Sequence, residues 1–532
     1  MLIQEKVQHG TWKPVRISRN GPTISHLFFA DDCILFTQTT SSQARVVKDV
    51  LDAFCKASGL KVNVQKTRFL ASKNVSRAKK LKFSSLTTFQ HTTNMGKYLG
   101  FPMLQGRVKK SEFTFLTDRI GNKLASWKSK LLGIAGRVTL AKSSIASIPI
   151  YSMQNNWIPT GTCNRLDACV KQFIWGDHSN HWVNWKTITQ SKDKGGLGIR
   201  TAREANISML GKHVWNLIHH RDKLWVKMHV AEYLKDANVL TPMHVSGMSP
   251  TWKVVVKTVD IIKYGFRFRL AKGAISIWYD KWLDEGYLCQ LIPYVHILDS
   301  ELHIKDVFFD GCWHWDLLAT QIPMDIKLKM QNLFSDDSLG DVLIWGNDNS
   351  GHYSVKSAFV WLTQRNDIPD SIPDHSWSWI WKLPIPENIQ HFLWLASRNS
   401  LRTNDFRTYR HLSNDSSCQR CGVATETGIH ALRDCVHASR IWSSLHLFNH
   451  PQFFTRDFYD WISFFSTATH GPLFLVACWF IWKARNAEIF SDSRCNDWLL
   501  LNRIYSFHVL IIETMGKQGC KKTEGGLLGC ST

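Results

Sequence analysis

Four metal-ligating side chains follow one another at short spacing in the C-terminal part of the chain. Cys418 and Cys421 are separated by two residues, His430 follows after eight more, and Cys435 after four more, which gives C-x2-C-x8-H-x4-C. Three thiolates and one imidazole satisfy the tetrahedral shell of Zn²⁺, and the short C-x2-C step lets two sulfurs converge from one turn. Gly422 follows the second cysteine, where a tight knuckle often needs a glycine. Nothing here combines an open coordination position with a general base, so the pattern predicts a structural zinc ion.

Two adjacent carboxylates form a second candidate site. Asp31 and Asp32 lie between the short apolar runs 27–29 and 34–36, a pattern that predicts a β-hairpin. Like charges in that position repel each other, desolvation adds to the cost, and a divalent metal ion would remove the conflict. Carboxylate oxygens suit Mg²⁺, and paired Mg²⁺ ions support phosphoryl transfer. The alternative interpretation is an ordinary Asp-Asp turn that closes a hairpin.

The elements around these two sites follow from apolar periodicity and turn residues. Residues 41–58 predict a helix that ends at Gly59 in the position of a left-handed C-cap, and 60–70 predict a further strand segment. Residues 90–235 and 377–450 carry mostly helical patterns, and 453–515 predict further helices. The run 363–376, rich in proline and aspartate, predicts a linker or an exposed loop.

The basic excess of the chain is local. The sequence has 65 Lys and Arg against 43 Asp and Glu, and residues 1–200 alone contain 31 of the basic residues but only 10 of the acidic ones. Residues 201–532 are therefore nearly balanced. Such a concentration points to a polyanionic partner, with nucleic acid first and an anionic membrane surface second. A basic face that only keeps the protein in solution is the alternative.

One segment of this basic region combines a helical apolar stripe with cations. The stripe consists of Phe113, Leu116, Ile120, Leu124, Trp127 and Leu131. Its steps of three and four predict an amphipathic helix, and a second helix is expected over 138–148, before Pro149. A helix that is buried on one face and basic on the other suits contact with a phosphate backbone. The candidate nucleic-acid-binding residues are Arg107, Lys109, Lys110, Arg119, Lys123, Lys128, Lys130, Arg137 and Lys142.

Composition and the chain's first residues disfavour several classes of protein. With 44% hydrophobic and 20% charged residues, the composition is that of a globular protein rather than a disordered or collagen-like chain. The longest apolar run, 473–482, is too short to span a membrane, and the first residues lack the apolar core of a signal peptide. Thirteen scattered cysteines, an odd number, favour a reducing compartment over a disulfide framework. We therefore expect an intracellular protein of the nucleus or cytoplasm, with no signal peptide and no transmembrane segment.

Three ordered motifs carry a resemblance to a known family. They are the run 24–36 (ISHLFFADDCILF), the run 59–67 (GLKVNVQKT) and the run 97–102 (KYLGFP). The first resembles the catalytic hairpin of reverse transcriptases of the LINE type (non-LTR retrotransposons) found in plants, the second resembles the next palm motif, and the third the segment that supports the primer end. The resemblance implies that Asp31 and Asp32 are a metal-binding pair, and that Asn63 and Lys66 lie near the incoming nucleotide.

The surroundings of the zinc pattern fit the same family. Four stretches look like the zinc-binding domain that follows the polymerase in plant LINE-type elements: 353–359 (YSVKSAF), 381–383 (WKL), 392–394 (FLW) and 441–442 (IW). The resemblance implies a zinc-binding unit over 353–445 in which His430, rather than the nearby His437, occupies the ligand position. It also implies that this unit helps to bind template RNA or target DNA, although its net charge is close to neutral.

These patterns together predict an α+β fold. It would combine a truncated polymerase palm hairpin, a mostly helical thumb, a mixed connecting region and a small helical zinc-binding domain. The expected segments are a partial palm over 1–90, a basic thumb and post-thumb region over 91–235, a connecting region over 236–350, the zinc-binding domain over 353–445, C-terminal helices over 453–515, and a disordered tail over 516–532. The implied partner is an RNA or DNA template–primer duplex, without a membrane and without a small-molecule cofactor other than metal ions.

We expect this chain alone to be inactive as a polymerase. Family polymerases have an earlier palm strand with another metal-binding aspartate, and also fingers and a glycine-containing motif that positions the nucleotide. The only acid before Asp31 is Glu5, in an unlike context. Without a further carboxylate the paired Mg²⁺ ions, which a complete palm would hold, lack a full site. The expected function is that of a truncated LINE-type fragment, derived from an RNA-directed DNA polymerase, that retains nucleic-acid and zinc binding.

Two alternatives from other classes remain open on the sequence. One is a retained nucleic-acid-binding zinc protein with a host role, which salt-sensitive binding to a template–primer duplex would support. The other is a protein of the membrane surface, which binding to liposomes without nucleic acid would support.

Overall fold

The structure is a computed structural model. It describes residues 1–19, 21–103, 109–126, 132–176, 181–234, 238–241, 247–331, 340–365, 377–446 and 450–524, without the side chains of 101, 102, 126 and 515–524. The fold is mixed α+β, as predicted, with helices predominating and the strands confined to small sheets.

The two longest helices of the described residues lie at the C-terminal end. The helices are α1 (Leu2–Gln8), α2 (Ser41–Ser58), α3 (Arg77–Thr87), α4 (Thr114–Ser126), α5 (Ile134–Leu140), α6 (Ile150–Met153), α7 (Thr160–Trp175), α8 (Trp185–Thr189), α9 (Ala202–His219), α10 (Leu224–His229), α11 (Pro250–Ile262), α12 (Leu288–Leu291), α13 (Met324–Met330), α14 (Val355–Arg365), α15 (Ser378–Lys382), α16 (Glu387–Ser397), α17 (Asn404–Tyr409), α18 (Val436–Ser444), α19 (Phe458–Thr467), α20 (Gly471–Ser491) and α21 (Asp497–Glu524). No helix among the described residues is both long enough and apolar enough to cross a lipid bilayer.

The strands pair two by two. They are β1 (Val15–Arg16), β2 (Thr23–Ile24), β3 (His26–Phe29), β4 (Asp32–Leu35), β5 (Arg68–Phe69), β6 (Gln90–His91), β7 (Lys97–Tyr98), β8 (Phe101–Pro102), β9 (Phe266–Arg269), β10 (Phe308–Phe309), β11 (Cys312–Trp313) and β12 (Val342–Trp345). The pairs β1–β2, β3–β4, β7–β8, β10–β11 and β9–β12 are antiparallel, and β5–β6 is parallel.

The described chain divides into two compact units whose segments interleave along the sequence. Unit 1 contains 1–115, 149–163 and 203–368, and unit 2 contains 116–148, 164–202 and 369–532. The segments expected from the sequence were consecutive, whereas each unit gathers parts of the chain that are far apart. The 353–445 segment also falls into both units, because its first residues, through 368, belong to unit 1.

Unit 1 contains the candidate carboxylate hairpin and has several buried clusters. One packs Trp12 against Val47 and Val50 of α2, near the hairpin. A second surrounds Trp252 and Trp345, and a third is formed by side chains between Ile275 and Met330. The connecting region 236–350, which gave no sharp sequence signal, therefore contributes to the second cluster and forms the third from its own residues.

Unit 2 contains the candidate zinc ligands within a helical, aromatic-rich core. The buried indole of Trp442 on α18 packs against Phe453 and against Phe474 of α20, with ring centroids 5.4 and 5.3 Å apart. Trp461 of α19 packs on the same phenylalanines. The helical prediction for 377–450 and 453–515 is thus confirmed over the described residues.

Several predicted elements end where the sequence signals indicated. Helix α2 covers 41–58, and Gly59 follows it with a φ of +72°, a conformation that glycine adopts without a steric penalty. At the other end, the Thr40 hydroxyl accepts a hydrogen bond from the Gln43 N–H at 3.3 Å and caps the helix. The hairpin predicted around residues 31 and 32 is also present, as β3 and β4.

Other elements differ from the prediction for identifiable reasons. Only Arg68 and Phe69 of the expected 60–70 strand are extended in a sheet, because Asn63 closes a turn in which its carbonyl accepts from the Thr67 N–H. Helix α5 begins at 134 rather than 138, since Gly133 acts as its extended N-cap. The tail expected from 516 onward is helical through 524, as the end of α21, and 525–532 lie outside the described residues.

Candidate functional site

The four predicted zinc ligands converge in unit 2. The ligand atoms of Cys418, Cys421, His430 and Cys435 all lie within 4.8 Å of one another. The Cys418 and Cys435 sulfurs are 4.0 Å apart, and the Cys421 sulfur is 3.4 Å from Nε2 of His430. Tetrahedral zinc, with Zn–S near 2.3 Å and Zn–N near 2.0–2.1 Å, requires edges of about 3.8 and about 3.5 Å for these pairs. The donor set and its spacing therefore fit a Zn²⁺ ion.

The first half of the site is a tight knuckle. The Cys418 N–H donates to the Ala424 carbonyl at 2.8 Å, and the Gly422 N–H donates to the Cys418 carbonyl at 2.7 Å. Gly422 has a φ of +70°, which confirms the need for glycine after the second cysteine. Ser417 and Thr425 pair as an isolated antiparallel bridge and close the loop behind the sulfurs.

The second half of the site comes from one irregular helical turn. Residues 430–434 form a π-type turn in which the Cys435 N–H donates to the His430 carbonyl at 2.8 Å. Cys435 is also the N-cap residue of α18, so its direction is fixed by a helix that packs in the core. The two halves therefore bring four ligands together from one short stretch of chain.

The nearby His437 is not part of the donor set. Its Nε2 lies 3.2 Å from the Arg420 carbonyl, with which it shares a hydrogen bond across the knuckle. The ligand position is thus taken by His430, as the resemblance implied.

Burial affects the protonation of the ligands. It raises the pKa of the Cys418 thiol to about 12 and also raises the pKa of the Cys435 thiol. Backbone N–H groups of Val423 and Ala424 have the opposite effect on Cys421, whose pKa they lower. Burial lowers the pKa of His430, which favours the neutral imidazole that a metal requires.

A fully buried ion pair lies directly beside the knuckle. Glu426 follows the bridge residue Thr425, and its carboxylate accepts from both Nε, at 2.9 Å, and Nη2 of Arg485 on α20. The same carboxylate accepts from the Asn404 N–H at 2.8 Å, at the start of α17. Both charged side chains have no exposed surface. Helix α20 is therefore part of the support of the zinc site, although it lies beyond the predicted unit 353–445.

A second ion pair ties the same helix to the knuckle. Arg420, between the two cysteines of the C-x2-C step, donates to Glu488 of α20 at 2.7 Å, and both side chains are largely buried. Arg494 approaches the other oxygen of Glu488 at 3.2 Å but is mostly exposed. The buried contact matters more for the site, because exposed ion pairs contribute little.

The carboxylate hairpin of unit 1 has the predicted shape but not the predicted burial. Phe29 of β3 pairs with Asp32 of β4, and Ala30 takes a positive φ of +50° in the tight turn that contains Asp31. Both carboxylates are exposed, so the expected desolvation cost does not arise. Phe28, like Phe29, is 60% exposed, which leaves apolar side chains of this hairpin in contact with solvent. Among the described residues, no third metal-ligating side chain joins the two aspartates.

The hairpin is anchored by Trp12, which precedes it in the chain, and by Gln43 of α2, which follows it. The buried Trp12 donates its indole N–H to the Phe36 carbonyl at 3.0 Å. Gln43, almost fully buried on α2, accepts from the Lys13 N–H and the Thr37 hydroxyl, both at 2.8 Å. The exit of the hairpin is thus held against α2 by defined hydrogen bonds.

Asn63 and Lys66 belong to one exposed turn. The Asn63 carboxamide oxygen accepts from the Lys66 N–H at 3.1 Å, and both side chains are exposed. Their neighbour Val62 packs into the cluster of Trp12 and α2 that also contacts Leu35 of the hairpin. The turn and the hairpin therefore share one core, while the proposed nucleotide contacts of Asn63 and Lys66 stay a prediction.

The basic candidates fall into three groups. Lys109 and Lys110 are exposed in unit 1, and Arg119 and Lys123 are exposed on α4 in unit 2. On the same helical segment Phe113, Leu116 and Ile120 are buried, as the apolar stripe predicted. Arg107, Lys128 and Lys130 lie outside the described residues, as do Trp127 and Leu131.

Arg137 and Lys142 are half-buried rather than exposed. The Arg137 guanidinium donates to the carbonyls of Leu132, at 3.1 Å, and Ile174, at 3.5 Å. Burial lowers the pKa of Lys142 to about 8, with nearby Lys192 acting in the same direction and Glu387 opposing it. These two cations therefore have structural contacts as well as charge.

Sequence reasoning missed Glu426, Arg485 and the arginines around α17. The run Arg402 to Arg410 (RTNDFRTYR) places three arginines within nine residues just before the knuckle, which is a readable signal. The Glu426–Arg485 contact joins residues 59 positions apart and has no comparable signal in one sequence.

Comparison with known proteins gives two family matches. Residues 6–103 match the family described as reverse transcriptase (RNA-dependent DNA polymerase), and residues 353–442 match the family described as zinc-binding in reverse transcriptase. The chain is also similar to an Arabidopsis thaliana protein that is named as a ribonuclease H protein. The two are 29% identical over 420 residues, which cover 74% of this chain and 67% of the relative.

The first match contains the carboxylate hairpin and the Asn63 turn, and the second contains all four candidate zinc ligands. The matches and the plant relative confirm the resemblance to plant reverse transcriptases of the LINE type. The eleven cysteines whose side chains the structure describes are all free.

Proposed function

We propose that this relative of plant LINE-type reverse transcriptases binds a template–primer nucleic acid and holds a structural zinc ion, without polymerising DNA as an isolated chain. The observation that carries the binding proposal is the α4 segment, where Phe113, Leu116 and Ile120 are buried and the cations Arg119 and Lys123 are exposed. A helix fixed in this way presents positive charge to a phosphate backbone without depending on base sequence. The match to an RNA-dependent DNA polymerase family supports a nucleic acid as the polyanion.

The zinc ion is proposed as structural. Its four protein ligands complete a tetrahedral shell, so no coordination position is left for a substrate or a water molecule. The site fixes the segment between α17 and α18 against α20, through Arg420 and Glu426. Its role would be to order a surface rather than to perform chemistry.

The proposed lack of polymerase activity rests on the hairpin itself. Asp31 and Asp32 offer hard oxygen ligands, but two-metal phosphoryl transfer needs further carboxylates around both ions. Among the described residues, no other metal-ligating side chain lies with this pair. The described residues therefore do not fit a two-Mg²⁺ centre by themselves.

Primer extension tests this part of the proposal. With a primed template, dNTPs and Mg²⁺, the 532-residue protein is expected to yield no more product than its Asp31→Asn variant. A working reverse transcriptase in a parallel reaction confirms that the substrates are competent. Extension by the unmodified chain that disappears in Asp31→Asn would contradict the proposal, because it would show a functioning metal site.

Charge removal on α4 tests the binding proposal. The Arg119→Gln/Lys123→Gln variant is expected to bind an RNA–DNA template–primer more weakly, and the dependence of log K on log salt should become shallower by about two units. The matched control removes two exposed cations elsewhere, Lys272→Gln/Lys305→Gln. An equal salt dependence in all three proteins would exclude α4 as the contact.

A further inference from the structure

Three arginines of unit 2 lie around the short helix α17, immediately before the zinc knuckle. Arg402 and Arg407 are half-buried, and Arg410 is exposed just after the helix. The knuckle fixes this helix, since the Asn404 side chain donates to the Ser417 carbonyl at 2.8 Å and its N–H to Glu426. We call Arg402, Arg407 and Arg410 the arginine cluster.

The arginine cluster meets the segment that follows helix α7. The Arg402 guanidinium carbon lies 3.7 Å from the Trp182 ring centroid, a close cation–π contact. Arg410 donates to the His181 carbonyl at 2.6 Å. Trp182 in turn packs on Trp175, the last residue of α7, with ring centroids 5.6 Å apart. The arginines are thus held in place by backbone and aromatic contacts on a folded surface.

Further cations approach the same place from two other helices. Lys171 of α7 and Arg410 both contribute, after burial, to a lowered pKa of His181. The pKa of Arg402 falls to about 10, because burial disfavours its charged form and because Arg407 and Arg137 of α5 lie close to it. Lys171 and Arg137 therefore interact electrostatically with groups of this surface, while the contacts to Trp182 and His181 position Arg402 and Arg410.

Carboxylates do not neutralise the cluster among the described residues. Arg402, Arg407, Arg410 and Lys171 form no salt bridge there, although Asp405 lies on the same helix. Concentrated positive charge of this kind destabilises the folded unit unless an anion approaches it. Guanidinium groups bind phosphate oxygens in a bidentate manner, and stacking on an indole leaves the outer edge of the guanidinium accessible.

We propose that the arginine cluster, together with Lys171, binds consecutive phosphates of a nucleic-acid backbone beside the zinc knuckle. This inference rests on the proposed nucleic-acid binding and assigns part of it to the zinc-binding region. An extended polyanion fits better than a single phosphate, because the cations are spread over two helices instead of converging on one point. The near-neutral net charge of 353–445 hid this surface, since acids of that segment, such as Glu426 and Asp434, pair with other arginines.

The test compares salt dependence in matched variants of the full chain. In Arg402→Gln/Arg407→Gln, the slope of log K against log salt is expected to be shallower by about two units. The charge-conserving Arg402→Lys/Arg407→Lys should keep a slope close to that of the original protein. The control Arg440→Gln/Lys483→Gln, which removes two exposed cations of the same unit, should also leave the slope unchanged.

The zinc content of each variant is determined together with its binding. A second experiment uses the original protein and needs no substitution. Phenylglyoxal modifies exposed arginines, and mass spectrometry locates the modified residues. Bound nucleic acid is expected to slow modification of the arginine cluster but not of Arg440. Equal modification with and without nucleic acid would overturn the inference even if the variants fold poorly.

The outcomes separate this inference from the proposed function. An unchanged slope in Arg402→Gln/Arg407→Gln, with a shallower slope in Arg119→Gln/Lys123→Gln, overturns the inference and leaves the proposed function in place. No binding by the unmodified chain overturns both. Parallel titrations with an RNA–DNA hybrid, single-stranded RNA and duplex DNA identify which backbone the cluster contacts. If Arg402→Gln/Arg407→Gln leaves the slope unchanged with all three nucleic acids, the inference is refuted.

Discussion

The purified 532-residue protein is expected to contain about one zinc ion per chain, and Cys418→Ser is expected to lose most of that zinc. Cys418 is buried, and its sulfur lies 4.0 Å from the Cys435 sulfur. Among the described residues, no further cysteine belongs to the site that could replace it as a ligand. Serine at this position offers a poor ligand, so the remaining three donors no longer close the shell. Metal analysis of the purified proteins by mass spectrometry measures the difference.

The matched control for this substitution is Cys495→Ser. Cys495 is a half-buried cysteine of the same unit that lies outside the donor set. Its zinc content should equal that of the original protein. If Cys418→Ser cannot be purified, removal of zinc from the original protein with a chelator should increase hydrogen exchange over 418–435. A folded chain that never contains zinc, or a Cys418→Ser protein with full zinc, would refute the site.

The second large effect is expected from the buried ion pair. Glu426→Gln leaves the Arg485 guanidinium without its counter-charge in a position with no exposed surface. Removing one partner of a buried pair destabilises a protein by about 3–5 kcal/mol, because the other charge stays buried and uncompensated. Chemical denaturation followed by tryptophan fluorescence should therefore show unit 2 unfolding at a lower denaturant concentration.

An exposed ion pair on the same helix provides the comparison. Arg494→Gln removes a mostly exposed contact to Glu488 and should change stability by about 0–1 kcal/mol. Glu426→Gln should also release zinc faster, since Glu426 follows the bridge that closes the knuckle. Equal denaturation midpoints for Glu426→Gln and Arg494→Gln would show that the buried pair does not stabilise unit 2 more than the exposed pair does.

Local features of the fold could be predicted from the sequence because short-range physics determines them. The Thr40 cap and Gly59 define α2 to the residue, and the C-x2-C step with Gly422 defines the knuckle. The apolar runs on either side of Asp31 define the hairpin. In each case a few neighbouring residues supply both the signal and the contacts.

The support of the zinc site could not be predicted in the same way. Arg485 lies in the C-terminal half of α20, three residues beyond the apolar run 473–482, and its type and position alone do not indicate a buried partner. Its partner Glu426 is 59 residues away, and pairing of this kind is visible only once the helices have packed. The interleaving of the two units could not be predicted for the same reason. Residues 116–148 and 369–532 are joined by tertiary contacts, which produce no periodic pattern in the sequence.

The exposed carboxylates show the limit of arguing from type and spacing alone. Adjacent aspartates between apolar strands suggested a desolvated pair, but the strands themselves leave Phe28 and Phe29 in solvent. Burial depends on what packs against a hairpin, and the hairpin sequence does not encode it. The metal-binding role predicted for Asp31 and Asp32 therefore rests on the family resemblance more than on their surroundings.

The zinc site and the arginine cluster give the C-terminal part of the chain a coherent physical role. In this proposal zinc fixes the knuckle, the knuckle fixes α17, and the segment 402–410 around α17 holds three arginines beside the end of α7. Loss of zinc should therefore weaken nucleic-acid binding indirectly, through the position of these arginines.

The most direct test of nucleic-acid binding is the salt dependence of that binding in the zinc-loaded, unmodified chain. The affinity for an RNA–DNA template–primer is measured by fluorescence anisotropy from about 50 to about 200 mM salt, the range over which phosphate contacts change affinity most clearly. Contacts by Arg119, Lys123, Arg402 and Arg407 predict a linear fall of log K with a slope of about −3 to −4, or steeper. No binding at the lowest salt concentration, or a slope near zero, would contradict the account.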